Sequence, residues 1–452
     1  MTLDPSIFNG RLVRSPWFYK QWRLAGNPAV FLRILSGKFG DYVHYRGLLN
    51  FYLINHPALV KQILLDTHES FDKCSSIYDR FRNVFGNGLV VAEGERWRRK
   101  RKILQPLFGP VIIKQYLEGM VDSTHRMLDR WEKTYLGGGE FNIAPEMNRL
   151  TLAIAGRALF SHGFDGSARK IEAWTEVINH YSAKPPLPII RSFWFPSPLN
   201  IRLKRNLREF HSFIRSMIEQ RRNGNETKDL LGILMAAKLE ENSNGMDAPE
   251  IIDEVLGMII GGHETSSSAL TWLWYELSQN PEVEFKLLQE LASLGSPHEF
   301  TLEMLPKLRF TRMVLDETMR LHPPFWFENR NVAQETHLGG VVLPKGALVV
   351  FSRYALHRHP CFWRDPDRFD PSRFEPGQEE HKRTTHAYIP FGGGPRICIG
   401  IHFAMMELLV VVAMTLRRFR IVLGASDRHQ MAAKLTLHPK NGVRVRLERR
   451  ND

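Results

Sequence analysis

The chain has 452 residues, of which 43% are hydrophobic, and its 61 Lys and Arg outnumber 48 Asp and Glu to give a net charge of +13. This length supplies ample material for a sizeable core, and the charge fits an acidic partner, a nucleic acid or an anionic membrane surface. Three cysteines, Cys74, Cys361 and Cys398, are too few for a disulfide framework and fit a reducing compartment. They form no CxxC pair, which argues against structural zinc.

The sequence predicts no transmembrane anchor, because runs such as Leu408–Ala413 fall far short of the roughly 20 apolar residues that span a bilayer. The segment Met1–Gly10 lacks the features of a secretory signal, so a cytoplasmic location is expected. No recognised nucleic-acid-binding module accompanies the basic residues. Nucleic acid is therefore not an expected partner.

The apolar periodicity is helical over most of the chain, without internal repeats, and predicts a mainly α fold with small β-sheets. Short strands are expected at Phe51–Ile54, Val341–Leu343 and Ala347–Phe351. The segment Lys184–Asn200 carries five prolines and cannot continue a helix, so it is expected to connect two helices. A long connection of this kind often forms a lid over a binding site.

Three helices are predicted in the second half of the chain. The longest begins after Asp247, an N-cap with Glu250 three residues later, and runs to about Gln279 before Asn280-Pro281 ends it. The second spans about Leu308–Leu321 and ends at a proline pair. The third spans Ile399–Phe419 and begins directly after Cys398.

The run from Phe391 to Gly400, FGGGPRICIG, surrounds Cys398 with glycines and places a helix N-terminus after it. Such a setting lowers the pKa of a thiol and supplies N–H donors to its sulfur. Taken alone, a glycine loop with a structural cysteine is the simpler interpretation. A zinc site with His402 is also conceivable, but the remaining ligands are missing.

This run is similar to the heme-binding signature FxxGxRxCxG of the cytochrome P450 family at every defined position. The resemblance implies heme b as the cofactor, with Cys398 as the metal ligand, Phe391 near the sulfur, Arg396 on a propionate and Gly400 closing the loop. It also implies the triangular, mostly helical heme fold, as a single domain over residues 1–452. A cysteine thiolate on heme iron favours O–O cleavage.

The segment Gly261–Ser266 places two glycines in the middle of the long helix, where each costs about 1 kcal/mol relative to alanine. It resembles the family's oxygen-binding groove, which implies that Glu264 and Thr265 are the catalytic acid and alcohol that deliver protons. Close helix packing at the glycines is the alternative. A hydrophobic substrate pocket is expected from four residues: Ile259, Gly262, Phe325 and Trp326.

Glu317 and Arg320 lie three residues apart on one predicted helix, where an acid and a base can pair. The same ExxR spacing occurs elsewhere, for example at Glu95 and Arg98, so the tetrapeptide alone is weak. Its position upstream of FDPSRF, which resembles the family's PERF element with Ser372 replacing Glu, implies a structural network of Glu317, Arg320 and Arg373.

The run GERWRRKRK from Gly94 to Lys102 resembles the family's WxxxR segment, which implies propionate contacts from Trp97 and Arg101. Arg330 matches a further propionate ligand, and His357 is a weaker candidate. The other cations of the run, Arg98, Arg99, Lys100 and Lys102, form either a solvated helix face or a docking surface for an acidic ferredoxin or flavodoxin.

The resemblance implies a monomeric monooxygenase that inserts one oxygen atom from O2 into a hydrophobic molecule such as a lipid-like compound, a terpenoid or a polyketide. Electrons would come from NAD(P)H through a separate ferredoxin or flavodoxin and its reductase, because no reductase is fused. Three alternatives stay open: a peroxygenase, an isomerase or dehydratase, and a non-enzymatic heme carrier. Glu264 and Thr265 argue against the first.

Overall fold

The computed structural model describes residues 11–14, 26–47, 49–164, 166–183, 193–223, 229–236, 246–295, 300–377, 386–424 and 430–450. These residues are mainly helical with small sheets, as predicted. They form two compact units. The sheet unit comprises the described residues up to Asp79, together with Asp316–Cys398 and Met431–Leu437, and the helical unit comprises the rest. The expected single domain stays a prediction.

The α-helices of the described residues are numbered in chain order. They are α1 Pro28–Phe39, α2 Pro57–Lys61, α3 Ser76–Phe85, α4 Gly94–Leu104, α5 Pro110–Gln115, α6 Leu117–Tyr135, α7 Ile143–Phe160, α8 Ala168–Ala183, α9 Pro198–Arg222, α10 Leu230–Ala236, α11 Ala248–Gln279, α12 Pro281–Ala292, α13 Arg309–Leu321, α14 Arg353–Leu356 and α15 Ile401–Arg418. None of them is long and apolar enough to cross a membrane.

The strands are short, and the largest group of them forms one mixed sheet. They are β1 Arg11–Arg14, β2 Tyr42–Arg46, β3 Asn50–Ile54, β4 Phe71–Asp72, β5 Phe141–Asn142, β6 Glu328–Val332, β7 Thr336–Leu338, β8 Val341–Leu343, β9 Leu348–Phe351, β10 Phe419–Leu423, β11 Met431–Ala433, β12 Leu437–Pro439 and β13 Arg444–Arg449. The largest sheet has the order β1-β2-β3-β9-β6-β4, and β10-β13-β5 form a second. The pairs β7-β8 and β11-β12 are separate two-stranded sheets.

The predicted helix boundaries agree closely with the structure. The Asp247 side chain accepts a hydrogen bond from the Glu250 backbone N–H at 2.7 Å, which caps the 32-residue helix α11. Helix α13 begins one residue later than predicted. Helix α15 begins at Ile401, two residues later than predicted, because Gly400 occupies the N-cap position with non-helical dihedral angles. The three predicted strands correspond to β3, β8 and β9.

The sheet unit is built around its six-stranded sheet. One hydrophobic cluster of this unit includes Leu59, Val349 and Phe351, and another includes Phe31 and Leu53. Residues alternate between these clusters along β3 and β9, because successive side chains of a strand point to opposite faces. Both faces of the sheet are therefore buried.

In the helical unit, α11 packs along α7. A Cβ atom added at Gly262 would lie 3.4 Å from the Cβ of Ala155, so the glycine allows close approach of the two helices. Of the proline-rich connection, residues 184–192 lie outside the described residues, and α9 begins at Pro198, before the predicted end of the connection. Proline suits this first helical position because its missing N–H would have no intrahelical partner.

Candidate active site

The loop before α15 presents the Cys398 thiol at an exposed position of the sheet unit. The Cys398 backbone N–H donates to the carbonyl of Phe391 at 2.9 Å, which closes the loop. Phe391 and Arg396 are half-buried, and Gly400 caps α15. The loop thus presents the thiol at its surface, and a role of Cys398 in binding a metal stays a prediction.

Gly394 makes this loop possible. Its φ of +64° lies in the left-handed region that favours glycine, and an added Cβ would lie 1.9 Å from the carbonyl oxygen of Leu64. No side chain fits there without moving the backbone of the neighbouring turn. The nearby Leu64 carbonyl, in the same unit, therefore explains why the sequence signature has a glycine at this position.

Glu317, Arg320 and Arg373 meet in the sheet unit, where all three are buried. Arg320 donates to both Glu317 carboxylate oxygens, at 2.6 and 2.8 Å, and Arg373 Nε lies 3.4 Å from Glu317 Oε1. The remaining N–H groups of Arg320 reach backbone carbonyls, including those of His357 and Pro366 at 2.8 and 2.7 Å. The cluster ties α13 to the irregular segment before the cysteine loop.

The predicted propionate ligands fall in both units. Arg330, on β6, is buried and pairs with Glu328 at 2.6 Å, and Arg353 also binds Glu328. Trp97 and Arg101 lie one turn apart on α4, are both partly exposed, and Arg101 Nε donates to Gln105 at 3.0 Å. A role of these residues in binding a propionate stays a prediction.

The expected basic face of α4 needs correction. Lys100 is completely buried, and its ammonium group binds Glu254 at 2.9 Å, while Arg99 binds Glu250 at 2.8 Å. Burial raises the pKa of Glu254, and Lys100 opposes this rise. A charged side chain that is removed from water requires a partner of opposite charge. Lys100 and Arg99 therefore pair with carboxylates of α11 and hold α4 against that helix. Arg98 and Lys102 remain exposed.

One side of α11 is accessible in the middle of the helix. Gly257, Gly261 and Thr265 recur every four residues and are only partly buried or exposed, whereas most of their neighbours are buried. At 3.6 residues per turn they share one face. Ile259 lies on another side and is fully buried. A pocket role for Ile259 stays a prediction.

The other predicted pocket residues differ in exposure. Phe325 is partly buried, whereas Trp326 is buried and donates its indole N–H to the carbonyl of Lys434 at 3.0 Å. Trp326 also packs against Phe327, with ring centroids 4.3 Å apart. These contacts explain Trp326 as a core residue of the sheet unit. A pocket role for Phe325, Trp326 and Gly262 stays a prediction.

Glu264 is buried at the middle of α11, next to the accessible face. Asn179 Nδ2 and His438 Nε2 each lie 2.7 Å from its Oε1 atom, and His263 Nε2 lies 4.0 Å from Oε2. Burial favours a raised pKa, but His438, by its charge and hydrogen bond, and Asn179, by its hydrogen bond, lower the pKa of Glu264 to about 2. Thr265 donates its hydroxyl to the carbonyl of Gly261 at 2.9 Å.

Sequence reasoning missed Asn179 and His438, which lie 85 residues before and 174 residues after Glu264. No local pattern indicates either one. His357, a weaker candidate, is fully buried and its Nε2 accepts from the Ile389 N–H at 3.0 Å. Its Nδ1 atom therefore carries the proton, and it has no hydrogen-bond partner among the described residues.

Comparison with known proteins supports a family assignment over most of the chain. The sequence model described as "Cytochrome P450" matches residues 12–444. The chain is 34% identical to cyclooctat-9-en-7-ol 5-monooxygenase of Streptomyces melanosporofaciens, covering 88% of this chain and 86% of that protein. It is 32% identical to pentalenene oxygenase of Streptomyces avermitilis, covering 95% and 94%.

A solved structure also resembles this fold. The retinoic-acid-bound cyanobacterial protein CYP120A1 superposes with a TM-score of 0.85 at 27% sequence identity, covering 96% of this chain and 98% of that one. The likeness extends over almost the whole of both chains. The fold is therefore shared with that structure beyond the region around the cysteine loop.

Proposed function

The chain belongs to the cytochrome P450 family, and we propose that this monooxygenase inserts one oxygen atom from O2 into a hydrophobic terpenoid. The similarity to two Streptomyces oxygenases, one named for cyclooctat-9-en-7-ol and one for pentalenene, carries this proposal. Both alignments cover more than four fifths of each chain. A partly open α11 face with glycines in place of side chains is compatible with a bulky apolar ligand.

The residues of the sheet unit fit the heme of this family. Cys398 offers an exposed soft ligand, and the half-buried Arg396 offers a guanidinium for a carboxylate. The buried Nδ1–H of His357 lacks a partner among the described residues, and an unsatisfied buried donor costs about 1–3 kcal/mol. An anionic propionate would satisfy it. Burial, together with nearby guanidinium groups, keeps the pKa of His357 low, so the ring is a neutral donor.

When bound through a cysteine thiolate, the heme supplies the chemistry that cleaves the O–O bond. We propose that Cys398 is this ligand, with Phe391 and Gly400 shaping its loop. Arg396, Arg330, Trp97 and Arg101 are proposed to bind the propionates, through charge-assisted hydrogen bonds in the case of the arginines. We propose that the buried cluster of Glu317, Arg320 and Arg373 stabilises the fold, because each of its groups is surrounded by protein partners.

Residues of α11 are proposed to handle protons. Thr265 lies on the accessible face with its hydroxyl held by the Gly261 carbonyl, so its oxygen lone pairs are directed by the helix. Glu264, one residue earlier, is held as a carboxylate and can take up a proton and release it. Delivery by a positioned group typically contributes about 10²–10⁴ in rate.

Electrons are proposed to come from NAD(P)H through a separate ferredoxin or flavodoxin and its reductase. After the correction for Arg99 and Lys100, the cations of α4 that can face such a partner are Arg96, Arg98 and Lys102, all exposed. Arg98 also pairs with Glu95 on the same helix. Surface cations of this kind mainly accelerate association, and salt screens them.

The decisive experiment follows labelled oxygen. Purified protein is reduced under carbon monoxide to establish the thiolate-ligated Soret band, with Cys398→Ser as the control that loses it. The protein is then supplied with NADPH, a surrogate ferredoxin and its reductase, ¹⁸O2, and a panel of terpene hydrocarbons, terpenoid alcohols and fatty acids. Incorporation of one ¹⁸O atom into a terpenoid supports the proposal. Oxidation of fatty acids alone would overturn the substrate class, and conversion without ¹⁸O would overturn the reaction.

A further inference from the structure

The Glu264 carboxylate is anchored by two other residues of the helical unit. Asn179 of α8 and His438 of β12 both bind Oε1 at 2.7 Å. Glu264 and Asn179 are almost completely buried, whereas the His438 side chain is 17% exposed. His438 is therefore the member of this cluster that contacts both Glu264 and solvent.

The protonation states follow from the hydrogen bonds. A carboxylate only accepts, so His438 Nε2 carries a hydrogen and donates it to Glu264. His263 cannot do the same: its Nδ1 lies 2.5 Å from the Ile259 carbonyl and must donate there. Burial also lowers the pKa of His263, so its Nε2, 4.0 Å from Glu264 Oε2, is an unprotonated nitrogen.

Glu264 by itself is a poor store of protons. A pKa of about 2 means that almost no Glu264 carries a proton near neutral pH, whereas proton donors work best with a pKa near the working pH. Histidine is the residue type whose side chain commonly exchanges protons with water near neutral pH. His438 is the histidine that contacts both Glu264 Oε1 and solvent.

We propose that His438 is the proton reservoir and positioning residue behind Glu264, an inference that rests on the proposed monooxygenase function. The Nε2–H bond of the His438 imidazolium breaks and an O–H bond forms on Glu264 Oε1, which leaves a neutral imidazole. Glu264 then gives up its proton and returns to the carboxylate, while His438 takes one proton from water. No electrons move in these steps, and one solvent proton is consumed for each proton delivered.

Two substitutions separate donor geometry from proton storage. His438→Gln keeps an N–H donor for Glu264 but cannot hold a titratable proton, whereas His438→Phe removes both. His337, an exposed histidine on β7, provides the matched controls His337→Gln and His337→Phe. All variants must retain the reduced carbon monoxide band of the wild type, which shows that the heme site is intact.

The first measurement needs no turnover. Infrared pH titration of the holoprotein isolates the Glu264 carboxyl band by difference from Glu264→Gln. We expect the carboxylate form to persist to lower pH in wild type than in His438→Phe, because the phenyl ring cannot stabilise the anion. Identical titrations in wild type and His438→Phe would overturn the inference, whether or not a substrate has been found.

The second measurement follows oxygenation coupled to NADPH, and the peroxide released, between pH about 5.5 and about 8.5. In His438→Gln we expect coupled product formation to fall about tenfold, peroxide release to rise, and the histidine-dependent limb of the pH profile to disappear. The His337 variants should behave as wild type. An unchanged pH profile and coupling in His438→Gln would overturn the reservoir. Absence of ¹⁸O insertion in the wild type would instead overturn the proposed function, while the infrared titration still decides whether His438 controls Glu264.

Discussion

Two buried glutamates, one in each unit, differ in the partners that surround them. Glu317 of the sheet unit is bound by the guanidinium groups of Arg320 and Arg373 and by the backbone N–H of Asp370 at 2.8 Å. Glu264 of the helical unit is bound by an amide and an imidazole. Both carboxylates are almost completely inaccessible to water.

The partners decide what each carboxylate can do. A guanidinium does not lose its proton in proteins, so the arginine partners of Glu317 cannot exchange protons near neutrality and can only hold structure. Burial raises the pKa of Glu317, and the hydrogen bonds and charges of the two arginines oppose that rise. An imidazole can exchange its proton with water, so the Glu264 cluster can change charge. Two carboxylates that are equally buried can therefore have different roles, one structural and one in proton transfer.

The largest loss of stability is expected for Glu317→Gln, because it leaves two buried guanidinium groups without a counter-charge. We expect about 5 kcal/mol from urea unfolding followed by circular dichroism. The matched control is Glu95→Gln, which alters an exposed Glu–Arg pair with the same three-residue spacing and should change stability by less than about 0.5 kcal/mol. Similar losses in both variants would remove the distinction between the two ExxR sequences.

The variant Lys100→Met removes the ammonium group of α4 that lies within hydrogen-bond distance of the buried Glu254 carboxylate. The orphaned Glu254 should destabilise the fold by about 3 kcal/mol at neutral pH. Because burial raises the pKa of Glu254, the folded state binds a proton more readily than the unfolded state, and the loss should shrink as pH falls. Lys102→Met, exposed on the same helix, is the control. A loss independent of pH would contradict this pairing.

Glu407→Gln tests a buried carboxylate without a strong cationic partner. Burial raises the pKa of Glu407 to about 8, opposed only by the Ser266 hydroxyl, so the wild type loses stability as pH rises from about 4.5 to about 8. Glutamine has no such loss. Between pH 5 and pH 7 the variant should gain about 2 kcal/mol over wild type, measured by urea unfolding. Exposed Glu118→Gln should gain nothing, and a flat difference for Glu407→Gln would refute the raised pKa.

A smaller change in stability than for Glu317→Gln is expected for Glu264→Gln, at most about 3 kcal/mol near neutral pH. A pKa lowered from 4.5 to about 2 corresponds to that free energy, and the amide oxygen still accepts a hydrogen bond. Its pKa is lowered, so the stabilising contribution is present above about pH 4.5 and declines as pH falls toward about 2. Coupled oxygenation should nevertheless fall about 100-fold. Comparing unfolding with turnover tests whether Glu264 acts mainly in proton delivery and Glu317 mainly in stability. If Glu264→Gln lost no more turnover than Glu95→Gln, this difference in roles would be contradicted.

Much of the fold could be predicted because local rules act over a few residues. Asp247 and Glu250 define the start of α11, and Asn280-Pro281 its end. The spacing around Cys398 carries the family signature, and the structure explains its Gly394 by the adjacent Leu64 carbonyl. Such features depend on backbone conformation and hydrogen bonds within a short segment, so they can be read along the chain.

Side-chain environment could not be predicted in the same way. Lys100 stands in an unbroken run of five cations, and only packing against α11 shows that it is buried while Arg98 is exposed. Ile259 is predicted to line a pocket, and only packing shows that its side chain is fully buried; the pocket role stays a prediction. Burial depends on which face a neighbouring element covers, and composition does not contain that information.

The sequence by itself determined the helix and strand pattern, the family and the cysteine that is proposed to bind heme. Only the tertiary structure brought His438 and Asn179 to Glu264, across 174 and 85 residues. The physical reason is that a local motif needs only neighbours in the chain, whereas the charge state of a buried group depends on every partner that folding brings within hydrogen-bond distance.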